Sequence, residues 1–132
     1  MTKETVPSAD QWLREAKADA AAADCGMFLL HNGVVRRSAK ARVRAGDADA
    51  PDVRGMHFAY DRDKTAAAVA EAEHMEGIRI VRVWMNEGEL QVGDDIMFVL
   101  IGADIRPHAV RALEALVGKL KSECVTEKEL YE

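Results

Sequence analysis

Gly88-Glu89-Leu90-Gln91-Val92-Gly93-Asp94-Asp95-Ile96-Met97-Phe98-Val99-Leu100 is the stretch that decides how this chain folds. Two glycines bound a short polar turn, and the turn feeds an almost unbroken apolar run through residues 95–102. A run of that length and purity reads as a strand covered on both faces, central in a sheet. Before the turn, Ile78-Arg79-Ile80-Val81-Arg82-Val83-Trp84-Met85 is β-branched and mostly apolar, so it reads as the preceding strand.

Working outward, Pro107 stands at a good first position for a helix. Val110, Leu113, Leu116, Val117 and Leu120 then recur at helical spacing on one face. The tail from Ser122 is polar and is expected to be loosely ordered. Upstream, Asp63 is a candidate N-cap for a helix over residues 64–74, ended by Gly77. Residues 53–60 alternate like a strand through Met56 and Phe58, and residues 46–51 form a loop. Met27-Phe28-Leu29-Leu30 and Gly33-Val34-Val35 make a further strand, with a bulge or bend at Asn32-Gly33. Ser8 and Gln11 resemble a capping box opening a helix through Trp12, Leu13 and Ala16 to about Ala23. The expected architecture is α+β, a two-layer domain with helices packed on a mostly antiparallel sheet. Residues 1–132 read as a single domain with no repeat and no linker.

The composition sets limits on function. A formal charge of −5 argues against a general nucleic-acid binder. No apolar run approaches the roughly 18 residues that span a bilayer. Residues 1–10 lack the apolar core of a secretory leader, so the expected setting is the cytoplasm. Cys25 and Cys124 are too few for a disulfide framework and lack metal-ligand spacing.

Candidate chemistry centres on cations. Arg36, Arg37, Lys40, Arg42 and Arg44 fall within nine residues containing no acid. Guanidinium groups grip phosphate bidentately, although a solvated loop face is the simpler explanation of such a cluster. Lys121 and Lys128 follow the last helix, seven residues apart, as helix-end lysines that favour the dipole or as amines close to a bound anion. Cys124 between them is either a bystander or a thiol near a site. His31, His57 and His74 are isolated and read as structural or exposed, and His108 reads as surface.

The pattern Gly-Glu-Leu-x-x-Gly-Asp-Asp-Ile-x-Phe-Val at 88–99, followed by a helix and then Lys121 and Lys128, resembles the large, catalytic subunit of molybdopterin synthase, the MoaE family. The likeness runs from about Gly26 to Lys128. It implies the family's fold, an α/β-hammerhead-like domain. It also implies a sulfurtransferase that moves sulfur from the C-terminal thiocarboxylate of a small ubiquitin-like carrier, a MoaD-like subunit, to cyclic pyranopterin monophosphate. The product carries the dithiolene that later holds molybdenum or tungsten. The family implies a homodimer with one carrier at each end, and no metal or organic cofactor.

Residue by residue, Gly33-Val34-Val35-Arg36 matches the family's Gly-x-Val-Arg, whose arginine lines the substrate pocket. Arg106 matches the arginine before the last long helix, with Ile105 where the family has histidine. Lys121 and Lys128 match the two active-site lysines. Arg36 and Arg106 are thus expected to bind phosphate or pterin, Arg106 across a dimer interface. Lys121 is expected to meet the thiocarboxylate and Lys128 the substrate. If the four converge, a positive pocket should interrupt an acidic surface. The chain departs from the family at Ala59, where a glutamate is usual, and at Met85, where a histidine is usual. It ends at Glu132, ahead of the family's tryptophan-containing tail. These departures motivate an alternative, a non-catalytic member that binds the carrier or the pterin.

Overall fold

The computed structural model describes residues 6–132. Residues 1–5, part of the stretch read above for a leader, lie outside them.

The chain folds as α+β, with two three-stranded antiparallel sheets. In the first, β5 (Asp95–Ala103) lies between β1 (Met27–Val34) and β3 (Ile78–Met85). In the second, β2 (Val53–Tyr60) lies between β4 (Gly88–Gln91) and β6 (Val125–Tyr131). The helices are α1 (Ala9–Ala18), α2 (Lys40–Ala45), α3 (Arg62–Glu73) and α4 (Arg106–Lys119).

Why β5 reads as continuous apolar sequence is visible in its neighbours. Val99 and Ile101 point into the main core with Phe58, Leu90, Leu116 and Leu120. Phe98 and Leu100 point the other way, into a smaller core under α1 with Trp12 and Ala16. Both faces are covered, so alternation disappears. Each such side chain contributes about 1.5–3 kcal/mol on burial, and β5 is therefore the anchor of the molecule. Trp12 and Trp84 both tilt against Phe98, with ring centroids 6.0 and 5.7 Å away. Arg82 spans from β3 to α1, donating to Glu15 at 2.5 Å with its guanidinium 4.3 Å from the Trp12 ring centroid.

Several expected boundaries shift. The stretch Gly88–Gln91 is a strand of the second sheet, so β3 and β5 pair directly while the chain between them detours to pair with β2. Gly93, at φ +91°, supplies the left-handed turn back, which a side chain would strain. Asp61, rather than Asp63, caps α3, accepting from the Lys64 amide at 2.9 Å. Asp63 sits in the first turn, where its charge favours the helix dipole. Ser8 caps α1 as expected, but Gln11 reaches forward to Glu15 and not back. The helix stops at Ala18, and a separate 3-10 turn covers Ala20–Asp24. Pro107 is the second residue of α4, whose N-cap is Ile105.

The largest correction concerns the two ends of the candidate site. The basic stretch after Arg36 contains the short helix α2. The polar tail is not loose: after a π-helical turn at Leu120–Cys124 it forms β6, which pairs along β2 from Tyr60↔Val125 to Val53↔Tyr131. Charged side chains on an edge strand are a common protection against unwanted pairing, and they hid this strand from a hydrophobicity reading. Among the described residues, no helix is long and apolar enough to cross a membrane.

Candidate functional site

The turn that closes on β1 positions Arg36. Gly93 donates its amide to the Val35 carbonyl, and Val35 donates to the Asp94 carbonyl, both at 2.9 Å. Val35 is buried, so the chain leaves the sheet at a fixed point. Arg36 then emerges into solvent, its Nε donating to the Ser38 carbonyl at 2.8 Å. Val53 holds the Arg37 carbonyl at 2.8 Å, and Ala39 is fully buried. The loop at 36–39 is therefore pinned at both ends.

The lysines come from the other side. Leu120, with no exposed surface, anchors the π-helical turn in the core. Lys121 next to it faces outward, and its Nζ donates to Glu127 Oε1 on β6 at 2.6 Å. Two residues along the same face of β6, Glu129 accepts from the backbone amide of Lys40 at 2.9 Å. Residues two apart on a strand are separated by about 6.6 Å. One edge of β6 thus gathers Lys121 and the start of α2, with the Arg36 loop leading into it.

Lys128 takes the other side of the sheet. Directly opposite residues share a face in an antiparallel pair. Met56 opposes Glu129 and Phe58 opposes Glu127, and both apolar residues are buried. Lys128 opposes His57, which opposes Glu89, and all three are exposed. Strand alternation alone separates Lys128 from the Lys121–Glu127 pair.

Arg106 lies farther still. It opens α4, and Lys121 follows the end of that helix. Fifteen residues at 1.5 Å each put about 22 Å of helix axis between them. Within one chain Arg106 and Lys121 cannot touch the same small ligand. The four cations also do not form a purely positive pocket, because Glu127 and Glu129 interleave with them.

His31, read from sequence as structural or exposed, lies on the core-facing side of β1, opposite Val99. It shares the inner face of β1 with Leu29 and Gly33, half-buried, and its Nε2 leans over Gly33. Burial pushes the imidazole below its ordinary pKa of 6.5, and the Lys121 charge adds to the effect. Period-two alternation was the available signal, since it sets His31 on the face of Leu29.

The remaining candidates have other partners. His108 is clasped between Asp104 and Glu76, 2.7 Å from each, so it is a joint between α4 and the turn before β3, not a surface residue. A Cβ on Gly77, at φ +77°, would collide with that joint. Arg42 pairs with Asp52 and donates to the Ala50 carbonyl. Arg37 lines a cleft of about 640 Å³ with Arg54, Glu89 and Glu132, which includes none of the four carried-over cations. Cys124 is packed in the core.

The family model described as MoaE protein matches residues 5–123. The chain belongs to the MoaE family. No curated protein sequence matches it. Among solved structures it is similar to a molybdopterin synthase from Staphylococcus aureus, with a TM-score of 0.72 and 19% identity over 96% of this chain and 86% of that one. It is similar to a molybdopterin biosynthesis MoaE protein from Burkholderia ambifaria, with 0.70 and 20% over 97% and 82%. A third likeness is to the complex of subunits 1 and 2 of molybdopterin-converting factor from Helicobacter pylori, with 0.65 and 15% over 95% and 84%. At these identities the likeness establishes the fold, α+β with two antiparallel sheets.

Proposed function

We propose that this chain is the sulfur-transferring large subunit of molybdopterin synthase, working in the cytoplasm as a homodimer with a MoaD-like carrier at each end. The observation that supports the reading is that Lys121 and the start of α2, four residues after Arg36, meet glutamates on one face of β6 in a chain of the MoaE family. The carrier's C-terminal thiocarboxylate is an extended anionic tail. Lys121 offers it a cation that is already oriented by Glu127. Arg36, leaving the sheet from a fixed point, binds the cyclic phosphate or the pterin of the precursor. Lys128 reaches substrate from the rim of β6. Arg106 joins from the second copy, as its distance from Lys121 requires. Sulfur arrives activated on the carrier, so the reaction runs without a resident cofactor.

A second reading, a binding member without turnover, is favoured by one observation: Lys121 is neutralised by Glu127 and Lys128 faces away from it. Reconstitution separates the two. The purified chain, cyclic pyranopterin monophosphate and thiocarboxylated carrier should yield dithiolene, and Lys121→Ala should abolish it while circular dichroism stays unchanged. Carrier binding without product would establish the second reading, and wild-type turnover by the variant would remove Lys121 from the site.

A further inference from the structure

α2 is a helix that its own sequence does not hold. It has six residues and none is buried, so core packing does not fix it. A helix this short is not stable alone in water. Its N-cap is Ala39, whose methyl group cannot accept from the amides of the first turn. The Ala39 carbonyl takes the Arg42 and Val43 amides, at 3.0 and 3.2 Å. The Lys40 amide finds its acceptor 89 residues away, donating to Glu129 Oε2 on β6 at 2.9 Å. The other oxygen of that carboxylate accepts from the Tyr131 hydroxyl at 3.1 Å. β6 therefore supplies the cap that Ala39 lacks.

The capped turn leads directly to Arg36. The Arg36 Nε donates to the Ser38 carbonyl at 2.8 Å, one residue before the buried Ala39. Tyr131, Glu129, the Lys40 amide, Ala39, Ser38 and the Arg36 guanidinium thus form one continuous run of bonds. Val53 holds the Arg37 carbonyl, upstream of Ser38.

We infer that Glu129 is a positioning residue for Arg36: by capping α2 from β6 it fixes the Ser38 carbonyl, and that carbonyl orients the guanidinium toward a phosphate. This role rests on the proposed function for its ligand. The bond to Ser38 engages one of the five guanidinium N–H groups, and a bidentate grip on phosphate uses two of the others. Orienting the fork beforehand removes part of the ordering cost of binding. Glu129 is also an anion, and its charge alone opposes a second anion at Arg36. The two effects have opposite signs, so they can be separated. Glu129→Gln removes the charge and keeps an oxygen that can accept from Lys40. Glu129→Ala removes both.

The experiment is calorimetric titration with inorganic phosphate of wild type and these two variants, with circular dichroism on each. Caps of this kind shift a local equilibrium by about 2- to 30-fold, and apparent affinity follows the fraction of chains in the binding-ready form. Glu129→Ala should therefore weaken phosphate binding by about 2- to 30-fold, whereas Glu129→Gln should bind at least as tightly as wild type. Arg36→Lys keeps a cation and a measurable affinity but lacks the oriented fork. Adding Glu129→Ala to it should change affinity by less than about 2-fold, where a merely structural contribution would persist in full. Wild-type or tighter binding by Glu129→Ala would overturn the assignment. So would a glutamine variant as weak as the alanine variant, an equal loss with Arg36→Lys, or loss of the whole fold. Failure of wild type to bind phosphate through Arg36 would overturn it as well. NMR exchange of the Lys40 amide reads the cap without any ligand: it should be slow in wild type and Glu129→Gln and fast in Glu129→Ala, and slow exchange in all three would overturn the cap. In the assembled enzyme, Glu129→Ala should raise KM for cyclic pyranopterin monophosphate with kcat near wild type; a lower kcat at unchanged KM would overturn a role in binding. A wild-type enzyme that forms no dithiolene, with the phosphate and exchange results as expected, would refute the synthase reading and leave the positioning of Arg36 standing.

Discussion

Glu127→Gln is the perturbation that tests whether an anion is meant to reach Lys121. The Lys121–Glu127 pair has side chains 37% and 21% exposed, with donor and acceptor 2.6 Å apart. Partly exposed pairs of this kind contribute about 0.2–1 kcal/mol, so the variant should fold with a Tm close to wild type. Its effect on binding should be larger. A phosphate or thiocarboxylate that approaches the far side of Lys121 sits roughly 6 Å from the Glu127 carboxylate, at which two unit charges repel by about 0.7 kcal/mol in water and about 2.8 kcal/mol at an effective dielectric of 20. Removing the acid should therefore tighten inorganic phosphate or precursor binding by about 3- to 100-fold. Calorimetric titration of wild type, Glu127→Gln and the Glu127→Gln/Lys121→Met double variant reads this directly. The gain should shrink as salt rises and disappear in the double variant. Equal affinity in wild type and Glu127→Gln at low salt would refute the idea that Lys121 receives an anion on this edge.

Leu120→Ala removes a fully buried side chain from the base of the same turn and should cost about 2–5 kcal/mol; chemical denaturation measures it, and a loss below about 1 kcal/mol would mean the turn is not anchored there. The Asp104 carboxyl is held below its ordinary value of 3.8, first by the hydrogen bond from His108. Its folded value is depressed, so its stabilisation is present above 3.8 and is lost as pH falls through the folded value. In Asp104→Asn, stability between neutral pH and about 2 should fall less steeply than in wild type, as read from urea midpoints. Arg106→Ala and Lys121→Ala, each inactive alone, should recover about a quarter of wild-type activity when subunits are mixed and exchanged, since half the dimers then carry one intact site; no recovery would exclude a contribution across the interface.

The parts of the fold that were legible are those whose sequence reports burial. β5 and β3 have apolar, β-branched runs, and α4 repeats its leucines at helical spacing. Those signals depend only on which faces are covered. The parts that were missed are short or polar. α2 has six residues with arginines and alanines and no apolar period. β4 has four residues, and its Gly88 and Glu89 read as turn. β6 places glutamates on the half-covered face, where Lys121 and the Lys40 amide satisfy them, so hydrophobic alternation is replaced by hydrogen bonds. Tertiary pairing with β2 made it a strand.

The same physics explains what the site owes to each level. The matching of Arg36, Arg106, Lys121 and Lys128 identified positions in a family, but distance and facing are properties of the elements that carry them. Rise per residue separates Arg106 from Lys121 by most of the length of a helix. Alternation along β6 turns Lys128 from Glu127. What remains together along β6 is a cation, the carboxylate that holds it and, through Glu129, the start of the helix that follows the Arg36 loop. Under the proposed function, an anionic tail would meet a cation that already has a partner. The paired carboxylate holds the Lys121 side chain toward β6, and an incoming anion would have to share or replace that partner. On that proposal the acid on β6 tunes the affinity of the edge for anions, and the Glu127→Gln titration measures by how much.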